Sequence, residues 1–134
     1  MNFDFNGLRL LVVDDNADNR DLFTVMFEQE GAQVIAVSSA KDALKVLDDS
    51  KVDILVSDIL MPDEDGYWLI RQIRSREPQG DSQIRAIAVT AAARQEDRTH
   101  ALLAGYDCHI TKPVNVDALV TTVARLSGRI PSSY

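Results

Sequence analysis

Four short runs in this chain end in residues able to do polar chemistry. LRLLVV stops at Asp14 and Asp15, VDILVS at Asp58, IRAIAV at Thr90, and DCHIT at Lys112 followed by Pro113. If the runs are parallel strands, these residues lie along one sheet edge, where parallel α/β sheets place their ligand sites. Three carboxylates, a hydroxyl and an ammonium then converge. Ionised carboxylates about 5 Å apart repel by roughly 3 kcal/mol at an effective dielectric near 20. Such a cluster binds a cation or takes up protons. The donors are oxygen only, with no His or Cys at metal spacing beside them, which favours Mg²⁺ or Mn²⁺ over Zn²⁺ or copper. Mg²⁺ completes its shell with waters and substrate phosphate. Lys112 can neutralise a phosphoryl oxygen, and Thr90 can donate to one. An aspartate can itself be the nucleophile, giving an aspartyl phosphate. Asp58 is the best placed, with Asp14 and Asp15 to one side and Thr90 to the other.

The elements that must carry these residues alternate strictly. Strands are expected over 8–13, 32–37, 52–57, 84–89 and 107–111. Helices are expected over 18–30, 40–49, 67–76, 95–104 and 116–126. Leu22, Phe23, Met26 and Phe27 form an apolar stripe at helical spacing, and Ala43, Leu44 and Leu47 another. Gly31 suits a helix C-terminus, and Ser39 caps the second helix. MPDEDG, with Pro62 and Gly66, is a loop, and EPQGDSQ a turn. Strict β-α alternation implies a parallel sheet with right-handed crossovers and helices on both faces. The domain spans 1–127, with a tail or linker start over 128–134.

The 134 residues suit one domain. Apolar content of 46% and charged content of 26% are those of a globular protein. A net charge of −7 argues against nonspecific binding to nucleic acid or anionic membranes. No apolar run approaches the roughly 20 residues of a membrane helix, and MNFDFNG carries no signal-peptide pattern. Cys108 is the only cysteine, so an internal disulfide is excluded and a cytoplasmic location is expected.

On VVDDN, SDILMPDEDG, AVTA and TKP, spread in order over nearly the whole chain, the sequence resembles the receiver domain of two-component response regulators. Such domains also occur attached to hybrid histidine kinases. The resemblance implies a flavodoxin-like fold with strand order 2-1-3-4-5. It implies that Asp58 accepts a phosphoryl group from a phosphohistidine on a histidine kinase or histidine phosphotransfer domain. Asp15 would ligate Mg²⁺ directly, Asp14 mainly through water, and Leu60 through its backbone carbonyl. Thr90 and Lys112 would hold phosphoryl oxygens, helped by N–H groups near Ile59 and Ala91. The Lys112–Pro113 bond would be cis. Phosphorylation would then switch the face made by the fourth helix, fifth strand and fifth helix toward an output partner that the sequence does not identify. It also allows a phosphorylation-dependent dimer.

The resemblance implies a signalling switch rather than a metabolic enzyme, with chemistry limited to its own phosphorylation and slow dephosphorylation. The switch aromatic's place holds His109, where the family more often has Tyr or Phe, so a weaker or pH-sensitive switch is expected. The positions that tune hydrolysis hold Leu60 and Ala92, neither able to orient water, so a long-lived phosphoryl state is expected.

Blander readings apply elsewhere. His100, Arg94, Glu96 and Arg98 read as an exposed helix face, Cys108 as a small buried residue, and Trp68 as partly packed. Phe23, Met26 and Phe27 read as core. An aspartyl-phosphate phosphatase would need an acid where Leu60 stands. A flavin carrier would need a phosphate-cradling loop where acidic DDNADN stands. A degenerate receiver used as a passive docking module would not need the complete acceptor set.

Overall fold

A computed structural model describes residues 3–76, 83–91 and 94–129. Ten elements alternate along the chain: β1 (Arg9–Val13), α1 (Ala17–Glu28), β2 (Gln33–Val37), α2 (Ala40–Asp49), β3 (Ile54–Asp58), α3 (Gly66–Arg76), β4 (Arg85–Thr90), α4 (Gln95–Ala104), β5 (Cys108–Thr111) and α5 (Val116–Leu126). The strands form one sheet in the order β2-β1-β3-β4-β5, with every pairing parallel. This is the fold class and strand order expected from the sequence.

Side chains alternate across a strand, so each central strand feeds two cores. Leu10, Val12, Ile54, Val56, Ile87 and Val89 face α1 and α5, where Phe23, Phe27, Leu119 and Val123 cover them. Leu11, Val13, Leu55, Ala86 and Ala88 face the opposite layer, where Ala43, Leu69, Ile70 and Ala101 of α2, α3 and α4 close the core. Strands buried on both faces must be apolar throughout, which is why these segments read as unbroken runs. Asn16, Ser39 and Asn115 each accept a backbone N–H at a helix start.

The elements differ from expectation in instructive places. Leu22 is 51% exposed, because helical geometry puts it at the margin of the stripe centred on Phe23, Met26 and Phe27. Helix α1 ends at Glu28, and the Glu30 side chain instead accepts the Phe3 N–H at 3.0 Å. Leu47 is half-buried. Strand β2 lies at the sheet edge and is largely exposed. Cys108 is half-buried, because β5 is the opposite edge strand, and the Arg125 guanidinium lies 3.7 Å from its sulfur. The expected EPQGDSQ turn falls almost wholly outside the described residues, as does most of the expected tail.

Candidate phosphoacceptor site

The strand ends are aligned by register. Val13 pairs with Ser57, Ser57 with Ala88, Asp58 with Val89, and Thr90 with Thr111. The ladder continues one residue past each end. The Asp14 N–H donates to Val37 O at 3.2 Å, Ile59 N–H to Val89 O at 3.2 Å, and Lys112 N–H to Thr90 O at 2.8 Å. Backbone pairing, more than side-chain attraction, therefore carries the acidic residues to one edge. Asp14, Asp58 and Thr90 are buried there, and Asp15 is exposed.

One carboxylate oxygen from each of Asp14, Asp15 and Asp58 lies within 4.8 Å of the others. The Lys112 ammonium stands 3.2 Å from Asp58 Oδ2 and 3.7 Å from Asp14 Oδ2. The Lys112–Pro113 peptide bond is cis. Asp14 also accepts from the Asn16 N–H at 2.9 Å and Asn19 Nδ2 at 3.3 Å, while the Arg20 guanidinium donates to its backbone carbonyl at 2.8 Å. The sequence reading missed Asn19 and Arg20. Their signal was their position in the first turns of the helix that starts two residues after Asp15.

Burial raises the Asp58 pKa above that of a free aspartate. Asp14 adds to the rise, while Lys112 and the Leu60 N–H oppose it. Lys112 pairs with Asp14 and Asp58 alone, so with Asp15 the edge holds three carboxylates to one ammonium and an excess of negative charge. The donors are all oxygen, which fits a hard divalent cation. The Leu60 side chain is 60% exposed at the mouth.

The profile of the response regulator receiver domain matches residues 10–124. The chain belongs to the receiver-domain family. A 14.6 kDa protein of Leptolyngbya boryana is 46% identical over 91% of this chain and 92% of its own length. The sensor histidine kinase RcsC of Salmonella typhi is 37% identical over 93% of this chain, which spans only 13% of that kinase. Among solved structures, the receiver domain of Francisella response regulator 1452 superposes with a TM-score of 0.83 at 26% identity, covering 91% of this chain and 98% of that one.

In this receiver, His109 pairs with Ala88 on β4, so it lies on the Thr90 side of the sheet, facing the α2–α4 layer. Its Nε2 is buried and has no hydrogen-bond partner among the described residues. His100 is more than an exposed residue. Its ring stacks on Tyr67 at 3.8 Å and 13°, and the Arg71 guanidinium lies 3.3 Å from its Nε2, tying α4 to α3. Trp68 is partly buried against the α2–α4 core, as expected. Ala92 lies outside the described residues. No described helix is long and apolar enough to cross a membrane.

Proposed function

We propose that this receiver accepts a phosphoryl group on Asp58 from a phosphohistidine of a histidine kinase or histidine phosphotransfer domain. The observation that carries this reading is a buried carboxylate set between two other acids and a lysine, all within reach of one small ligand. The similarity to a sensor histidine kinase supports the choice of donor. In the reaction, an Asp58 carboxylate oxygen forms the new P–O bond as the P–N bond to the partner's imidazole breaks, and the imidazole leaves with that electron pair. Because burial disfavours the Asp58 anion, neutralising its charge is the central task of the site.

Asp14, Asp15, Asp58 and the Leu60 carbonyl are the groups that would hold Mg²⁺ or Mn²⁺. Bound there, the cation supplies positive charge against the phosphoryl oxygens. Lys112 neutralises a phosphoryl oxygen from the other side, and Thr90 donates from its hydroxyl. Movement at Thr90 reaches His109 on the adjacent strand and so the α4-β5-α5 face, which then changes its preference for an output partner. Restoring the aromatic with His109→Phe should strengthen that response. A response unchanged by that substitution at both pH 6 and pH 8 would remove His109 from the relay.

The apolar Leu60 at the mouth has no group to orient a hydrolytic water, which supports a long-lived phosphoryl state, and Leu60→Asn should shorten it. The chemistry is confined to the domain's own phosphorylation and dephosphorylation. Incubation with Mg²⁺ and acetyl phosphate, followed by mass spectrometry, tests the central reading. One phosphoryl group should be gained by the native chain and none by Asp58→Ala. No gain at saturating donor and Mg²⁺ would overturn it.

A further inference from the structure

Tyr106 joins α4 to β5 and is 3% exposed. Its hydroxyl donates to the Gly66 carbonyl at 2.7 Å, across 40 positions of sequence. The main chain on both sides of the ring is fixed, since Tyr106 N–H donates to Ala101 O at 3.1 Å and Asp107 N–H to Ala86 O at 2.8 Å. Burial drives the phenol pKa far above its ordinary value, with the neighbouring Ser57 hydroxyl partly opposing this, so the group stays neutral. Buried tyrosine hydroxyls need a partner, and this one reaches past α4 to find it.

The atoms it holds belong to the acceptor loop. Gly66 N–H donates to Ile59 O at 2.9 Å, closing the 59–65 loop between β3 and α3. A Cβ at Gly66 would stand 2.6 Å from Asp58 O and 2.8 Å from Ile59 Cα, so the first residue of α3 rides directly on the main chain of Asp58. The buried Ser57 hydroxyl donates to the same Asp58 carbonyl at 2.9 Å. Two enclosed hydroxyls, from β3 and from the α4–β5 junction, thus brace the backbone on either side of the loop that presents Leu60.

We infer that Tyr106 is a positioning residue for phosphoryl transfer: its hydroxyl holds Gly66, and through Gly66 the 59–65 loop, in place against Asp58. This inference rests on the acceptor reading above. Tyr106 touches no reacting atom, so its removal should alter loop order and metal affinity before anything else. Tyr106→Phe keeps the ring and deletes only the hydroxyl. Trp68, the only tryptophan in the chain, follows Gly66 by two residues, with its backbone N–H donating to Asp65 Oδ1 at 2.8 Å, so its fluorescence reports on this segment.

The test compares the native chain with Tyr106→Phe, Ser57→Ala and Val123→Ala, the last a core truncation on the opposite side of the sheet. In metal-free protein, amide hydrogen exchange over 59–66 should quicken about 5-fold in Tyr106→Phe, the consequence of one lost buried hydrogen bond. In a Mg²⁺ titration followed by Trp68 fluorescence, the midpoint should rise roughly 10-fold, the usual scale for groups that orient metal ligands. Ser57→Ala should move both readouts the same way. Val123→Ala should lower melting temperature yet leave both unchanged. Native exchange and native midpoint in Tyr106→Phe would overturn the inference, as would equal shifts in Val123→Ala. If the native chain took up no phosphoryl group, the acceptor reading would fail while the exchange data still decided whether Tyr106 orders the loop.

Discussion

Two clusters of acids and bases sit at opposite ends of the same sheet. At the end where β4 and β5 begin, Asp107 is shared by two guanidiniums, Arg74 at 3.2 Å and Arg85 at 3.5 Å, and accepts the Ala86 N–H at 2.8 Å. Arg74 also donates to Gly105 O at 3.0 Å and to Ile84 O. That cluster has its donors directed onto carboxylate and carbonyl oxygens, and it fastens α3 to the α4–β5 junction. At the carboxyl end, three acids face one lysine, and Asp58 is 5% exposed. The contrast separates structural from chemical electrostatics. A network with donors and acceptors directed at one another contributes order, whereas buried carboxylates in excess of their cations mark a candidate ligand site.

The most decisive way to break this contrast is at Asp58. Asp58→Ala should abolish phosphoryl uptake from acetyl phosphate and leave the fold intact by circular dichroism. A variant that still gained a phosphoryl group would move the acceptor elsewhere.

Lys112→Ala should slow uptake roughly 100-fold, the scale for losing one preorganised partner of developing charge. Initial rates by mass spectrometry would measure this. A native rate would mean that the ammonium serves only to hold Asp58 and Asp14 together.

At the other end, Asp107→Ala removes the acceptor of two guanidiniums and one backbone amide. A loss of about 2 kcal/mol in urea unfolding is expected, with uptake from acetyl phosphate near native. A large loss of uptake at unchanged stability would dissolve the distinction between the two ends.

The smallest effect concerns pH. The folded-state pKa of Asp58 is raised, chiefly by burial. The folded chain therefore holds that proton more tightly than the unfolded chain, and stability from this group is full below the unfolded value of about 3.9 and lost as pH rises through the folded one. Asp58→Asn should thus melt a few degrees higher than the native chain at neutral pH in chelator, with the gap narrowing as pH falls toward the ordinary carboxylate range. A gap that widened on acidification would contradict the sign.

The strand ends were legible because the information is local. An apolar run buried on both faces followed at once by Asp14, Asp58 or Thr90 can be read from neighbouring residues, and parallel pairing then forces those residues to one edge. Helix caps at Asn115 and Ser39 were equally local, although only the second was expected. Burial at margins was less legible. Helical spacing points Leu22 inward and residue type points Cys108 inward, yet one lies at the edge of its helix stripe and the other on an edge strand.

The chain by itself determined the alternation, the family resemblance and the set of residues at the acidic edge, since each depends on period, residue type or order. Only the tertiary structure decided that one lysine is shared between Asp14 and Asp58, that Asp107 gathers Arg74 from 33 positions away, and that Tyr106 reaches Gly66. Those contacts join residues distant in sequence at separations set by how helices pack on a twisted sheet. No local pattern encodes that distance, so it becomes readable only when the layers are assembled.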